Sequence, residues 1–371
     1  MKKLVYEPIK LRGERVWRTY IGGREIGFLH GDVSTVDGHF PEEWMFSVTQ
    51  AHNAGREEKE EGVCKLDGDR AFSLKELIEA YPLEMLGREH MERWGTSTGV
   101  LIKIIDSLER LTVQVHPDKE KAERLFHSPF GKTECWHILG TRDDIGENPC
   151  IYLGFKEGIR KEQWVRCFEN QNTDKMLSLL NRIEVKAGET YLVKGGVPHA
   201  IGSGCLIVEI QEPTDYTVRV ERVTPSGFEI ADSMCHQGLG FQTMFECFDY
   251  DGMSLEAVRE AYCKEPEEKA WEFGRRRQLI GYSDTPCFQM EWLEISHSCQ
   301  LKGDGLFSCL YVLSGQGTLK SETQEYALKR NDQFFIPAVS LAYSITCSDE
   351  NPVCILLMRG PETVRLGLDL K

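Results

Sequence analysis

The sequence predicts a mainly β protein built on two jelly-roll barrels, with helical insertions and a helical connector. Three observations carry this. From Ile183 onward, short alternating apolar runs are separated by Gly-rich turns, as in IEVKAGETYLVKGGVPHAIGSGCLIVEIQEPTDYTVRVER. A second block of the same texture follows the connector, with LYVLSGQGTL, LKRNDQFFIPA, LAYSITCS and VCILLMRG. The two blocks share a rhythm of strand, Gly turn, strand and Pro turn, so that Ile336-Pro337-Ala338 stands where Val197-Pro198-His199 stands. The expected division is residues 1–250 as a catalytic unit, 251–274 as connector and 275–371 as a second β unit without metal ligands.

In chain order, FSLKELIEAYPLEMLG (72–87) has the 3.6-residue apolar rhythm of a helix, with Ser73 as N-cap and Gly87 as stop. NAGREEKEEG (53–62) is a charge run expected to be a solvated loop. VLIKIIDSLERLTVQVHPD (100–118) reads as a hairpin turned by DSLER. DKEKAERLFH is a short helix, GKTECWHILG (131–140) is extended, and residues 157–181 are helical in two pieces. SLEAVREAYCKEPEEKAWEFG (254–274) reads as the helical connector, followed by Arg275, Arg276 and Arg277 as an exposed cationic turn.

Composition excludes several function classes. The 371 residues are 41% hydrophobic and 10% aromatic, enough for a substantial core. A formal net charge of −15 disfavours nucleic acid and anionic membrane surfaces as partners. No apolar run approaches the roughly 20 residues of a membrane-spanning helix, and MKKLVYEPIKL has no apolar h-region behind its basic residues. Thirteen Cys, odd in number and without a CxxC pair, fit reduced thiols in a cytoplasmic protein better than a disulfide framework. Cys135 is the thiol nearest the candidate chemistry, and packing is its ordinary role.

The candidate chemistry sits at strand ends. In LTVQVHPD (111–118), alternation puts Thr112, Gln114 and His116 on one face and Leu111, Val113 and Val115 on the other. The polar face meets either solvent or a metal. Lys132 and Glu134 are again i and i+2, and His199 follows the GGVP turn. Two imidazoles, a carboxylate and an amide oxygen suit Zn2+ or another borderline divalent ion, with a position left for substrate or water. In EIQEPTDYTVRV, Asp215 and Arg219 are four apart. They form either a structural ion pair or a cation for a developing oxyanion or a phosphate, oriented by Asp215.

QVHPD, GKTECW, GGVPHAIGSG and EIQEPTDYTVRV, in that order, resemble class I mannose-6-phosphate isomerase, a zinc-dependent cupin family. The strong match covers residues 72–222, and the second block matches in texture. The resemblance implies that Gln114, His116, Glu134 and His199 bind one Zn2+ per chain. It also implies that Lys132 and Arg219 act in catalysis, with Asp215 near the sugar. Thr112, where the family often has Ser, is a candidate contact for sugar or phosphate, alongside Lys132 and Arg219. The chain departs from the family near its N-terminus, where PEEWMFSVTQ (41–50) replaces the usual AETWE-like motif. The implied reaction is the exchange of mannose 6-phosphate and fructose 6-phosphate through an enediolate. Lys132 is the first candidate base, because a neighbouring dication disfavours its ammonium form; a metal-bound hydroxide and Asp215 are the alternatives. Two rival readings are an iron-dependent oxygen-using cupin and a sugar-phosphate-binding or regulatory cupin; a third is an isomerase of another sugar phosphate. The expected partner is a small sugar phosphate, and the expected assembly is a monomer or weak homo-oligomer.

Overall fold

The structure, a computed structural model, describes residues 3–363 except 54, 57, 69–71 and 349. Its strands form four sheets of eight, seven, five and four strands, and every pairing between named strands is antiparallel. The seven- and five-stranded sheets close on one core. Ile105, Trp136 and Ile207 come from the larger sheet, and Ile151, Ile183 and Ile201 from the smaller. The eight- and four-stranded sheets close on another, with Leu310, Phe334 and Ile355 against Leu319, Tyr343 and Ile345. The protein is therefore mainly β with two sheet sandwiches of the jelly-roll kind, as the sequence predicts.

The outer faces of the two large sheets join through a third apolar cluster. Ile102, Ile104, Val208 and Ile210 of the first sandwich pack with Met290, Tyr311, Phe335 and Met358 of the second. This explains why Leu101–Asp106 is buried along its whole length rather than alternating. Ile9–Arg12 completes the edge of the second sandwich, with Ile9 opposite Phe335, and pairs in turn with Lys65–Leu66. The second sandwich thus draws strands from the part of the chain that the sequence division assigns to the first unit.

Local signals set the helices. Leu74–Ala80 starts with a capping box in which Ser73 and Glu76 satisfy each other's backbone N–H. Pro82 cannot continue it, so a second short helix, Pro82–Leu86, starts afresh and ends at Gly87. Lys119–Phe126 is capped by Asp118, and the two pieces expected in 157–181 are Lys161–Glu169 and Thr173–Ser178.

Three expectations are corrected. Leu101–Asp106 and Gln114–Val115 do not form a hairpin: the first pairs in the seven-stranded sheet and the second in the five-stranded sheet. The DSLER segment crosses between sheets, and apolar run lengths carry no information about which sheet receives them. The connector is helical only over Leu255–Tyr262; Cys263–Lys264 then pairs as a strand with Thr190 and Tyr191, and Glu267–Lys269 is a further strand. Arg275, Arg276 and Arg277 lie within the strand Gly274–Ile280, where Arg276 grips Glu291 at 2.8 Å and Arg277 reaches Glu268 at 2.7 Å. Ala54 and Glu57 of the 53–62 run lie outside the described residues, while Asn53 at its start is buried. No helix among the described residues is long and apolar enough to cross a membrane.

Candidate functional site

The polar side of LTVQVHPD faces inward. Gln114–Val115 is the short strand between His199–Ile201 and Val218–Arg219, with Gln114 opposite His199 on one side and Arg219 on the other. Val113 and Val115 pack outward against Trp164, Phe168 and Phe245. Leu111 departs from that face and joins the interior of the sandwich. Glu134 opens the strand Glu134–Thr141, and Lys132 precedes it on the same side.

These elements bring His116, Glu134 and His199 together, all buried, as a group able to hold a metal ion. His116 Nδ1 lies 2.7 Å from the carbonyl of Tyr216, and His199 Nδ1 lies 2.8 Å from that of Val197. Each Nδ1–H donates to its carbonyl, which leaves both Nε2 atoms as lone pairs. Those atoms are 3.2 Å apart. Glu134 Oε1 is 3.0 Å from His116 Nε2, and the Gln114 carboxamide Nε2 is 3.3 Å from His199 Nε2, where its N–H donates; turned over, the same carboxamide presents its oxygen to an ion. Donors on a tetrahedral ion with bonds near 2.0 Å stand about 3.3 Å apart. Lys132 and the Gln114 amide each face one of these lone pairs, and the spacing of the two imidazoles and Glu134 fits a divalent ion.

Burial, with Lys132 adding to it, pushes the His116 imidazole down to about 3, and burial also lowers His199. Burial alone would raise Glu134, but Lys132 and His116 outweigh it and keep the carboxylate ionised. Neutral imidazoles and an ionised carboxylate are the protonation states that ligate metal. Lys132 Nζ lies 3.1 Å from Glu134 Oε1, 3.3 Å from His116 Nε2 and 3.3 Å from Thr217 Oγ1.

A small inner cavity beside this corner is lined by Thr112, Gln114, Lys132, Asp215 and Arg219, all anticipated from sequence. Arg219 donates from Nη1 to the carbonyls of Thr217 and Met234, each at 3.1 Å. Asp215 pairs with Arg18 at 3.5 Å rather than hydrogen-bonding Arg219. Burial alone would raise its carboxyl, but Arg18 and Lys132 dominate and hold it at about 2.

The sequence reading missed Arg18, Tyr20, Glu42, Lys103 and Glu209, which also line this cavity. Lys103 Nζ is 3.0 Å from Glu209 and 2.7 Å from Gln211 Oε1. Glu42 accepts from Arg18 at 2.9 Å, Tyr20 at 2.8 Å and Trp44 at 2.7 Å. In PEEWMFSVTQ it is therefore Glu42 that faces the site, whereas Glu43 turns away to His30 and Gln333. The Trp136 indole N–H points to both Glu134 (3.2 Å) and Glu209 (3.0 Å), so this Trp fixes the ligand strand. Cys135 faces the apolar cluster between the sandwiches, and burial pushes its thiol up. A lone charged residue inside a β-branched run, as in LIKIID and LIVEIQ, is the signal that marks Lys103 and Glu209; nothing local marks Arg18.

Residues 36–131 match the family model for the catalytic domain of type I phosphomannose isomerase, and residues 282–350 match the model for the cupin domain of mannose-6-phosphate isomerase. The mannose-6-phosphate isomerase of Streptococcus mutans is 30% identical over 269 residues, 70% of this chain and 76% of that protein. The chain belongs to the type I mannose-6-phosphate isomerase family. The Bacillus subtilis family member ManA is 28% identical over 307 residues, 79% of this chain and 82% of its own. The family's fold is shared too. The crystal structure of the Bacillus subtilis mannose 6-phosphate isomerase superposes with a TM-score of 0.70 at 22% identity, over 95% of this chain and 99% of that one. A structure described as zinc-bound mannose 6-phosphate isomerase superposes with a TM-score of 0.70 at 15% identity, over 95% and 99%.

Proposed function

We propose that this chain is a zinc-dependent aldose–ketose isomerase that interconverts mannose 6-phosphate and fructose 6-phosphate. The observation that carries the reading is the convergence of two imidazole Nε2 atoms, the Glu134 carboxylate and the Gln114 amide, with Lys132 Nζ 3.1 Å from that carboxylate. His116, Glu134, His199 and Gln114 hold the ion. Bound there, Zn2+ supplies Lewis-acid polarisation of the sugar carbonyl and hydroxyl oxygens.

The remaining chemistry belongs to side chains. A proton must leave C2 and return to C1, while negative charge appears on O1 and O2. Lys132, held by Thr217 and Glu134 within the cavity, takes and returns that proton. Arg219, fixed by two backbone carbonyls, presents its remaining N–H groups to the charge that develops on the oxygens. Thr112 lines the same cavity and offers a hydroxyl to the sugar. The test is a coupled assay for fructose 6-phosphate formed from mannose 6-phosphate, on chelator-stripped protein before and after Zn2+ is restored. Activity that disappears and returns with the metal supports the reading. Metal-replete protein without turnover overturns it.

A further inference from the structure

Arg18, Asp215 and Arg219 line both the inner cavity and a wider outer chamber of about 380 Å3, so they form the neck between them. A hexose phosphate with C1 and C2 beside the metal corner must extend its C6 end through that neck. The Arg18 guanidinium stacks over Trp44 at 5.0 Å. Its Nε is held by Glu42 at 2.9 Å, and its Nη1 faces Asp215 at 3.5 Å and Asn53 Oδ1 at 3.4 Å. Its Nη2 donates to no described residue. Asn53 is 5% exposed and lines the outer chamber, and its Nδ2 is a buried donor with no acceptor among the described residues. One buried donor at this neck, Asn53 Nδ2, therefore lacks an acceptor, on a side chain linked to the Arg18 guanidinium.

Charge points the same way. The inner cavity is lined by four cations (Arg18, Lys103, Lys132, Arg219) and four carboxylates (Glu42, Glu134, Glu209, Asp215). A bound divalent ion leaves a formal excess of two positive charges with Lys132 protonated and one with Lys132 as the neutral base, a positive balance that suits a phosphate monoester dianion.

We propose that Arg18 and Asn53 seat the phosphate of the substrate and make the site specific for phosphorylated hexoses, leaving Arg219 to the reacting end. This rests on the isomerase reading. Arg18 follows VW, and Asn53 lies in the loop after PEEWMFSVTQ; the segment that departs from the family pattern lies between them and supplies Glu42, which holds Arg18.

The test uses zinc-loaded full-length protein and the variants Arg18→Gln, Asn53→Ala and Asn53→Asp, with metal content measured on each. Two readouts are needed: calorimetric titration with inorganic phosphate, and KM and kcat on mannose 6-phosphate beside kcat/KM on unphosphorylated mannose. Losing charge-assisted donors to a phosphate is expected to weaken phosphate binding and raise KM by roughly 10- to 100-fold in Arg18→Gln, with a much smaller change in kcat and on mannose. Asn53→Asp, which adds a like charge, should exceed Asn53→Ala. If Arg18→Gln does not fold, the ordering of the two Asn53 variants decides. A fall in kcat with phosphate affinity retained, or equal losses on mannose and mannose 6-phosphate, overturns the seat. Wild-type protein that binds phosphate in an Arg18-dependent way but isomerises nothing overturns the isomerase reading and leaves the seat standing.

Discussion

Gln114 stands directly opposite Arg219 across an antiparallel ladder, and its other edge pairs with His199. One residue therefore ties the metal corner to the cationic wall of the substrate cavity. Directly opposed side chains in such a ladder stand about 5 Å apart at Cβ. The ladder thus holds the candidate metal corner and the guanidinium in one register.

Gln114→Ala follows from this. The variant keeps both imidazoles and Glu134 but loses the amide that stands 3.3 Å from His199 Nε2. Zinc affinity measured by chelator competition should fall roughly 10- to 100-fold, with kcat at saturating zinc much less affected. Unchanged affinity would remove Gln114 from the ligand set.

Lys132→Ala separates chemistry from metal binding. Lys132 contacts Glu134 and His116 but carries no lone pair toward the ligand cluster while protonated. Turnover should fall by about 10²- to 10⁴-fold, while zinc content stays near that of the wild type. Equal loss of both would sink the separate catalytic role.

Trp136→Phe probes the link behind the ligand. The ring fills a fully buried site and packs edge-on against His199 at 5.4 Å, and Phe keeps most of that contact. It removes the N–H shared by Glu134 and Glu209. Two buried carboxylates then lose their common donor, and zinc affinity or turnover should drop roughly 10- to 100-fold. Wild-type values for both would reduce Trp136 to packing alone.

What the sequence made legible was what alternation and turn chemistry encode. Thr112, Gln114 and His116 share an inward side because strand side chains alternate, and Glu134 joins Lys132 for the same reason. The Ser73 cap and the Gly87 stop are also local. Arg18 was not legible, because its role depends on Glu42 and Asp215, the latter almost two hundred residues away. Lys103 and Glu209 are paired across neighbouring strands in register, and each alone reads as an oddity in an apolar run. The hairpin failed for a related reason: the apolar pattern identifies strands and does not say which sheet receives them.

His137 gives a pH dependence that is separable from the metal site. It is buried opposite Thr190, whose hydroxyl lies 2.9 Å from Nδ1, and no carboxylate offsets its desolvation. Burial pushes its imidazole down to about 4 in the folded chain, against about 6.5 when exposed. Between those values the unfolded chain binds the extra proton and the folded chain does not. The contribution is therefore fully present above pH 6.5, is lost progressively as pH falls toward 4, and is constant below that. The size is about 3 kcal/mol at 1.36 kcal/mol per unit. His116 and His199 bend the curve the same way in zinc-free protein, so the informative quantity is a difference. Urea unfolding of zinc-free wild type and His137→Gln, compared at pH 7.5 and at pH 4.5, should show the variant losing less stability on acidification by roughly that amount. Parallel losses in the two proteins would mean that His137 is already protonated in the fold, or reaches water in a way its 7% exposure does not suggest.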